Sequence, residues 1–341
     1  MFLPAFEHVH AASVEHAVRL LREGGTDALL VAGGTELLPR MKLGLARAGL
    51  LVSLSRVRHR APVARSDGSL ELDALTPLTE VARSDAVGTR APILAEAALA
   101  VASRQVRNVA TLGGNLCQET RCLYYNQTHR FQFREPCIKR GGSGCYVAGG
   151  SERCLAVAMA DTAPALLCLD ARVDILGPDG ARQRPVEALY SGDAAAPLAL
   201  EPGQVVASVA IPPPPPGTGT AFIKYSRRGG VEFAGVTVAA ALTVDPATGT
   251  CVRARMAVGA VSPAPVRARE AESVLTGARP TDRTLAEAAR AAVSGVRPRA
   301  HHGYSARHLR SNLEVLGLRV LRQALSRAAG RPAGHPGSQE G

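Results

Sequence analysis

The first apolar positions of the chain follow the spacing of a helix and then that of a strand. Apolar residues between positions 14 and 21 recur at intervals of three and four, directly after Ser13, a residue type that caps helices. The pair Gly24-Gly25 predicts the end of this helix. Apolar runs at 28–31 and 50–52 predict two short strands. We therefore expect a small α/β unit over residues 1–57.

Residues 58–211 predict a second unit of the same mixed character. Apolar runs at 70–72, 173–176 and 204–211 predict strands, and the segment 93–101 has the composition of a buried helix. Residues 212–217, a proline run closed by a glycine, predict a stiff linker.

The segment 218–327 carries strand-like patterns first and helix-like patterns afterwards, which predicts a separate α+β domain. We expect strands at 222–226, 236–244 and 254–261, and helices at 285–293 and 309–325. The tail 328–341 is rich in Gly, Pro and Ser and is predicted to be disordered.

Composition narrows the class of protein. A chain of 341 residues with 46% hydrophobic residues is expected to form two or three packed domains. The net charge of +11 comes almost entirely from dispersed arginines, and aromatic residues make up 4%, so we expect no nucleic-acid partner. The start resembles no secretory signal, and no apolar run is long enough to span a membrane. A cytoplasmic location is expected.

Two glycine turns are candidates for binding a phosphate-containing cofactor. Each turn combines a glycine pair with a small polar residue, so backbone N–H groups can approach an anion closely. A nucleotide held here would need a fold other than those with a G-x-G-x-x-G or Walker A sequence, since neither occurs. The residues of the two turns are Val31, Ala32, Gly33, Gly34, Thr35 and Glu36, and Thr111, Gly113, Gly114 and Asn115.

A Cys-rich insertion at 117–154 is the second candidate site. Its glycine-rich interior can bury little apolar surface, so bound metal is one means of ordering it. The spacing lacks the tight cysteine pair of structural zinc sites and suits the loop-borne thiolates of an iron–sulfur cluster. The residue types alone leave a [4Fe–4S] cluster, zinc and free thiols as alternatives. The cysteines are Cys117, Cys122, Cys137, Cys145 and Cys154.

Four segments, at 30–38, 107–115, 160–167 and 222–228, resemble motifs of the xanthine dehydrogenase and carbon monoxide dehydrogenase flavoprotein family. The resemblance implies a vanillyl-alcohol-oxidase-like FAD domain of two α+β subdomains, followed by a small α+β C-terminal domain. It implies that both glycine turns contact the FAD pyrophosphate. It also implies that Asp161 accepts a hydrogen bond from a ribose hydroxyl and that Lys224 lies near the isoalloxazine.

The insertion sequence from Asn115 to Gln127 is similar to the β subunit of 4-hydroxybenzoyl-CoA reductases. That resemblance implies a [4Fe–4S] cluster in the insertion, with Cys117 present but not a ligand. The implied ligands are Cys122, Cys137, Cys145 and Cys154.

The resemblance implies an electron-transfer subunit. Its expected partners are a large subunit with the molybdenum cofactor, a small subunit with [2Fe–2S] clusters, and ferredoxin or another electron carrier. The expected reaction is reductive dehydroxylation of an aromatic acyl-CoA on the large subunit. One alternative is a subunit of an oxidising hydroxylase acting on an aldehyde, a purine or an N-heterocycle. Another is a zinc-stapled assembly subunit without redox function.

Overall fold

The computed structural model describes residues 2–127, 135–229 and 231–330. The first sheet contains β1 (Glu7–His10), β2 (Ala28–Val31) and β3 (Leu50–Ser53) in the parallel order β1-β3-β2. Between β1 and β2 lies α1 (Val14–Gly24), whose buried face contacts the sheet. Ser13 caps α1 by accepting a hydrogen bond from the backbone N–H of His16. The predicted helix and both predicted strands are confirmed.

The second sheet is antiparallel and lies in the order β4-β5-β8-β6-β7. Its core packs against short helices that lie between β5 and β6 in the chain. The strands are β4 (Val63–Ala64), β5 (Leu70–Asp73), β6 (Arg172–Gly177), β7 (Gly180–Pro185) and β8 (Val205–Ile211). The helices around the first two sheets are α2 (Leu37–Lys42), α3 (Leu78–Arg83), α4 (Asp85–Arg90), α5 (Pro92–Leu99), α6 (Arg104–Arg107), α7 (Leu112–Leu116) and α8 (Thr162–Cys168).

The third sheet has helices on both faces. All residues of α8 are buried, and α5 and α8 cover one face of the sheet. The C-terminal helices cover the other face. This two-sided burial explains why the inner strand β10 is almost entirely buried and carries an uninterrupted apolar run at 238–242. The strands are β9 (Thr218–Tyr225), β10 (Val236–Val244), β11 (Cys251–Gly259) and β12 (Val266–Arg267), in the order β12-β11-β10-β9, and the helices are α9 (Arg269–Leu275), α10 (Asp282–Ser294) and α11 (Ala306–Ala328).

The Cys-rich insertion lies between α7 and α8. In its described part, regular structure is limited to a 3-10 turn at Ile138–Arg140 and an isolated bridge between Arg121 and Val157. Residues 128–134 of the insertion lie outside the described residues, as does the tail from 331 onwards, on which most of the disorder prediction falls. No helix in the described ranges is long and apolar enough to cross a membrane.

Candidate flavin cavity and thiol cluster

The first glycine turn connects β2 to α2. Gly34 adopts a φ of +72°, which favours glycine, and its carbonyl accepts a hydrogen bond from the backbone N–H of Leu38 at 3.1 Å. A Cβ at Gly33 would lie 1.8 Å from the carbonyl oxygen of Val109, so no larger residue fits there without moving the backbone. The first turn is therefore packed directly against the chain that enters the second turn.

The second glycine turn starts α7. Thr111 caps this helix, because its hydroxyl accepts a hydrogen bond from the backbone N–H of Gly114 at 3.1 Å. The N–H of Gly113 donates to the carbonyl of Ala74 at 2.8 Å. A Cβ at Gly113 would lie 2.8 Å from that of Ala74. Close backbone packing thus explains a glycine in this turn as well.

The two turns face one cavity of about 530 Å³, within the usual range for small-molecule sites. Residues 31–36 line it on one side, and Thr111, Gly113 and Gly114 line it on the other. The glycine positions leave backbone without side chains at the cavity wall, which suits a diphosphate-containing cofactor. The residues of the predicted turns therefore fit FAD.

The remaining predicted flavin residues have partners within the protein. Asn115 accepts hydrogen bonds from the hydroxyl of Thr162 at 2.7 Å and from its backbone N–H at 3.3 Å. Lys224 forms an ion pair of 2.6 Å with Asp161, and both side chains are buried. Burial raises the pKa of Asp161, and the ammonium of Lys224 opposes this effect. Because Asp161 and Lys224 touch, they act as one polar unit, and their assignment to opposite parts of the flavin stays a prediction.

The four predicted cluster ligands lie near one another in the insertion. Cys122, Cys137 and Cys145 are buried, Cys154 is half-buried, and all four are free thiols. The electrostatic effect of Cys137 and Cys145 reaches Cys122, and that of Cys145 and Cys122 reaches Cys154. Within residues 2–127, 135–229 and 231–330, however, no group of three metal-ligating side chains stands in an arrangement that could hold a metal ion.

Backbone donors surround two of these sulfur atoms. Burial raises the pKa of Cys122, and hydrogen bonds from the backbone N–H groups of Tyr124 and Tyr125 oppose the rise. Burial likewise raises the pKa of Cys154, opposed first by the N–H of Ala156 and then by the Lys139 ammonium. Such donors stabilise a thiolate, which is the form that binds iron. The surroundings of the thiols therefore fit a cluster, although the sulfur atoms are not in bonding positions.

A buried network of charged side chains lies between the cavity and the thiols. Lys139 donates hydrogen bonds to Glu119 at 2.7 Å, to the Thr120 hydroxyl at 2.6 Å and to the carbonyl of Ala194 at 2.5 Å. Glu119 also pairs with Arg40, which lines the flavin cavity, at 3.2 Å. The cavity wall and the insertion are thus joined by ion pairs.

Sequence reasoning did not find this network or several lining residues. Arg40, Cys117 and Gln204 line the cavity, although none belongs to a glycine turn. Burial raises the pKa of Cys117 to about 12, so this residue lines the cavity as a neutral thiol. A local signal was Lys139, a lysine two residues after the predicted ligand Cys137 in an arginine-rich chain.

The fold and the cavity define a class of protein: an α+β protein whose glycine turns suit a cofactor diphosphate. Residues 4–214 match the family described as the FAD binding domain in molybdopterin dehydrogenase, and residues 221–324 match the CO dehydrogenase flavoprotein C-terminal domain. The chain belongs to this family of FAD-binding subunits of molybdenum hydroxylase-type oxidoreductases. The predicted fold class and the prediction of FAD as cofactor are confirmed.

Individual relatives agree with this placement. The 6-hydroxypseudooxynicotine dehydrogenase complex subunit alpha of Paenarthrobacter nicotinovorans is 32% identical over 325 residues, covering 95% of this chain and 96% of the relative. The aldehyde oxidoreductase FAD-binding subunit of Escherichia coli is 34% identical over 264 residues, covering 73% and 79%.

Solved structures of the family share the fold. Reconstituted CO dehydrogenase from Oligotropha carboxidovorans superposes with a TM-score of 0.77 at 27% identity, covering 96% of this chain and 100% of that chain. Quinoline 2-oxidoreductase from Pseudomonas putida 86 gives a TM-score of 0.75 at 27% identity, covering 96% and 99%.

Proposed function

We propose that this chain is the electron-transfer subunit of a molybdenum hydroxylase-type complex, and that it carries a [4Fe–4S] cluster in addition to FAD. The observation that supports the second cofactor is the group of four free thiols beside the flavin cavity. When bound, FAD exchanges electrons in pairs or singly, which suits a junction between a two-electron reaction and one-electron carriers.

In this proposal the protein binds the flavin mainly through its backbone. Residues 31–36 offer their backbone N–H groups to the pyrophosphate, and the turn at Thr111, Gly113 and Gly114 lines the opposite side of the cavity. Asn115 holds α8 against the second turn through Thr162. The proposal keeps Asp161 as the acceptor for a ribose hydroxyl and Lys224 near the isoalloxazine, with the carboxylate fixed by the ammonium.

The proposed cluster ligands are Cys122, Cys137, Cys145 and Cys154. Lys139 lies among them with its side chain almost fully buried, so its positive charge offsets part of the negative charge of four thiolates. Binding of iron would draw the sulfur atoms together and order a loop that has little core of its own.

Partners and direction of electron flow complete the proposal. We propose a large molybdenum-cofactor subunit, a small [2Fe–2S] subunit and a ferredoxin-type donor in the cytoplasm. The similarity of the insertion to 4-hydroxybenzoyl-CoA reductases favours electron flow toward molybdenum and an aromatic acyl-CoA substrate.

The names of the relatives favour a second candidate, an oxidising enzyme. The protein from Paenarthrobacter nicotinovorans is named a dehydrogenase, and the one from Escherichia coli an aldehyde oxidoreductase. The two directions are distinguished with the purified complex. In the reductive case, 4-hydroxybenzoyl-CoA reoxidises dithionite-reduced flavin; in the oxidative case, an aldehyde or N-heterocycle bleaches the oxidised flavin.

The cofactor content tests the proposal directly. Protein purified without oxygen is expected to contain about four irons and four acid-labile sulfides per FAD, as a [4Fe–4S] cluster requires. Cys122→Ser is expected to lose the iron and keep the flavin, whereas Cys251→Ser, in a strand of the third sheet, is expected to keep both. Zinc without sulfide would favour the zinc-stapled alternative, and flavin without either metal would remove the second cofactor.

A further inference from the structure

Arg121 of the insertion contacts two other parts of the molecule. Its guanidinium pairs with the carboxylate of Glu36 in the first glycine turn. The same guanidinium lies over the ring of Phe233, between β9 and β10, with 4.8 Å from Cζ to the ring centroid. The backbone of Arg121 is fixed by two hydrogen bonds to Val157, at 2.7 and 3.0 Å. Arg121 thus lies where the insertion, the first glycine turn and the third sheet meet.

The environment of Glu36 shows why this contact matters. Glu36 lines the flavin cavity, and burial raises the pKa of its carboxyl, opposed first by Arg121 and then by Arg40. The side-chain amide of Gln118 also donates to Glu36, at 3.5 Å. The largest single compensation for the buried charge of this cavity-wall residue therefore comes from the insertion.

Polar atoms around the ion pair are incompletely satisfied. Among the described residues, Glu36 Oε1, Arg40 Nε, Gln118 Oε1 and Arg121 Nε are buried without a hydrogen-bond partner. Buried polar atoms normally have partners, because leaving one unpaired costs about 1–3 kcal/mol. Glu36 and Arg40 line the cavity, and Gln118 and Arg121 lie behind them, so an unsatisfied acceptor and an unsatisfied donor belong to the wall itself. This pair fits a polar ligand with both kinds of group.

We propose that Arg121 is a positioning residue for the flavin, and that the Arg121–Glu36 ion pair couples order in the insertion to flavin binding. This inference rests on the proposed flavin cavity but not on the iron–sulfur cluster. Arg121 holds the Glu36 carboxylate at the wall that FAD contacts, and bound FAD in turn keeps Glu36 in place for Arg121. The coupling is reciprocal, since two linked equilibria affect each other by the same factor.

The test measures FAD affinity of the full chain after removal and re-addition of FAD, by quenching of flavin fluorescence. Arg121→Gln is expected to weaken binding about tenfold or more, because Glu36 loses the partner of a buried ion pair. Arg121→Lys should recover part of the loss, since it restores the charge. The matched control is Arg153→Gln, an exposed arginine of the same insertion, which should bind FAD as the unmodified protein does.

A double-mutant cycle with Glu36→Gln decides whether Arg121 acts through Glu36. If it does, adding Arg121→Gln to Glu36→Gln weakens binding little further; fully additive losses would overturn the inference. Unchanged affinity in a folded Arg121→Gln protein would overturn it too. If that variant does not fold, the cycle is run with Arg121→Lys.

Amide hydrogen exchange gives a second measurement. FAD should slow exchange at residues 118–127 in the unmodified protein and do so much less in Arg121→Gln. Equal protection in both proteins would contradict the coupling. If Gly33→Ala also bound FAD normally, the flavin cavity itself would be misassigned, and the proposed function would fail together with this inference.

Discussion

The flavin cavity and the Cys-rich insertion lie side by side but are held by different interactions. The cavity turns are fixed by backbone contacts between regular elements, such as Gly33 against Val109 and Gly113 against Ala74. The described part of the insertion has almost no regular structure and is held by buried ion pairs around Glu119 and Lys139. The cavity is therefore formed by the fold itself, whereas the described part of the insertion depends on buried ion pairs.

The largest effect on FAD binding is expected where backbone meets backbone. Gly33→Ala places a methyl group against the Val109 carbonyl, which forces a backbone shift costing about 3 kcal/mol and weakens FAD binding about 100-fold. Gly88→Ala, in α4 with open space around the added atom, is the control and should bind FAD normally. FAD titration measures both, and normal binding by Gly33→Ala would show that FAD does not bind in this cavity.

The insertion should instead be sensitive to loss of a charge. Lys139→Met leaves Glu119 with one charged partner, Arg40, and is expected to reduce the free energy of unfolding of the insertion by about 3–5 kcal/mol. Limited proteolysis of the insertion checks this, with FAD retained. Lys42→Met, at an exposed lysine, is the control. Equal resistance of both variants to protease would mean that the ion pairs do not hold the insertion.

The smallest effect is expected at His301. Its neighbour His302 packs on the ring of Phe233, where the insertion meets the third sheet. Burial and the neighbouring His302 lower the pKa of His301 to about 4. The unfolded chain, with a histidine pKa near 6.5, takes up a proton first as the pH falls. The contribution of neutral, buried His301 to the free energy of unfolding is therefore complete above pH 6.5 and is lost as the pH falls toward 4.

The loss attributable to His301 is about 2–3 kcal/mol over this range. In His301→Asn, stability should fall less between pH 7 and pH 4.5, as measured by urea unfolding. His8→Asn, an exposed histidine, should behave as the unmodified protein. Parallel pH curves for His301→Asn and the unmodified protein would rule out this role of burial.

Much of the fold could be predicted because its signals are local. The capped helix α1 and the mostly apolar strand β10 follow directly from the spacing of apolar residues in the sequence. The strand β7 was missed because it is a mostly exposed edge strand with the polar sequence Gly-Ala-Arg-Gln-Arg-Pro. The helix α2 was missed because it is short, contains Pro39 and follows a glycine turn.

The site was predictable only in part, because only some of its signals are local in the sequence. Glycine pairs reveal backbone that must approach something closely, so both turns could be found. That they approach each other is a tertiary contact with no local signal. The pairing of Arg121 with Glu36 and of Lys139 with Glu119 depends on side chains far apart in sequence. The assignment of the cysteines to iron stays a prediction that metal analysis must test.

The contact between Gly33 and Val109 has a consequence for how the protein matures. When only the first glycine turn has been synthesised, one side of the cavity exists. The other side is formed only when the residues after Val109 have been synthesised and pack against Gly33. Flavin can therefore be captured only after both turns have left the ribosome and met. From then on, each bound FAD stabilises the native state by mass action, so the supply of flavin in the cell sets how much of the folded protein persists.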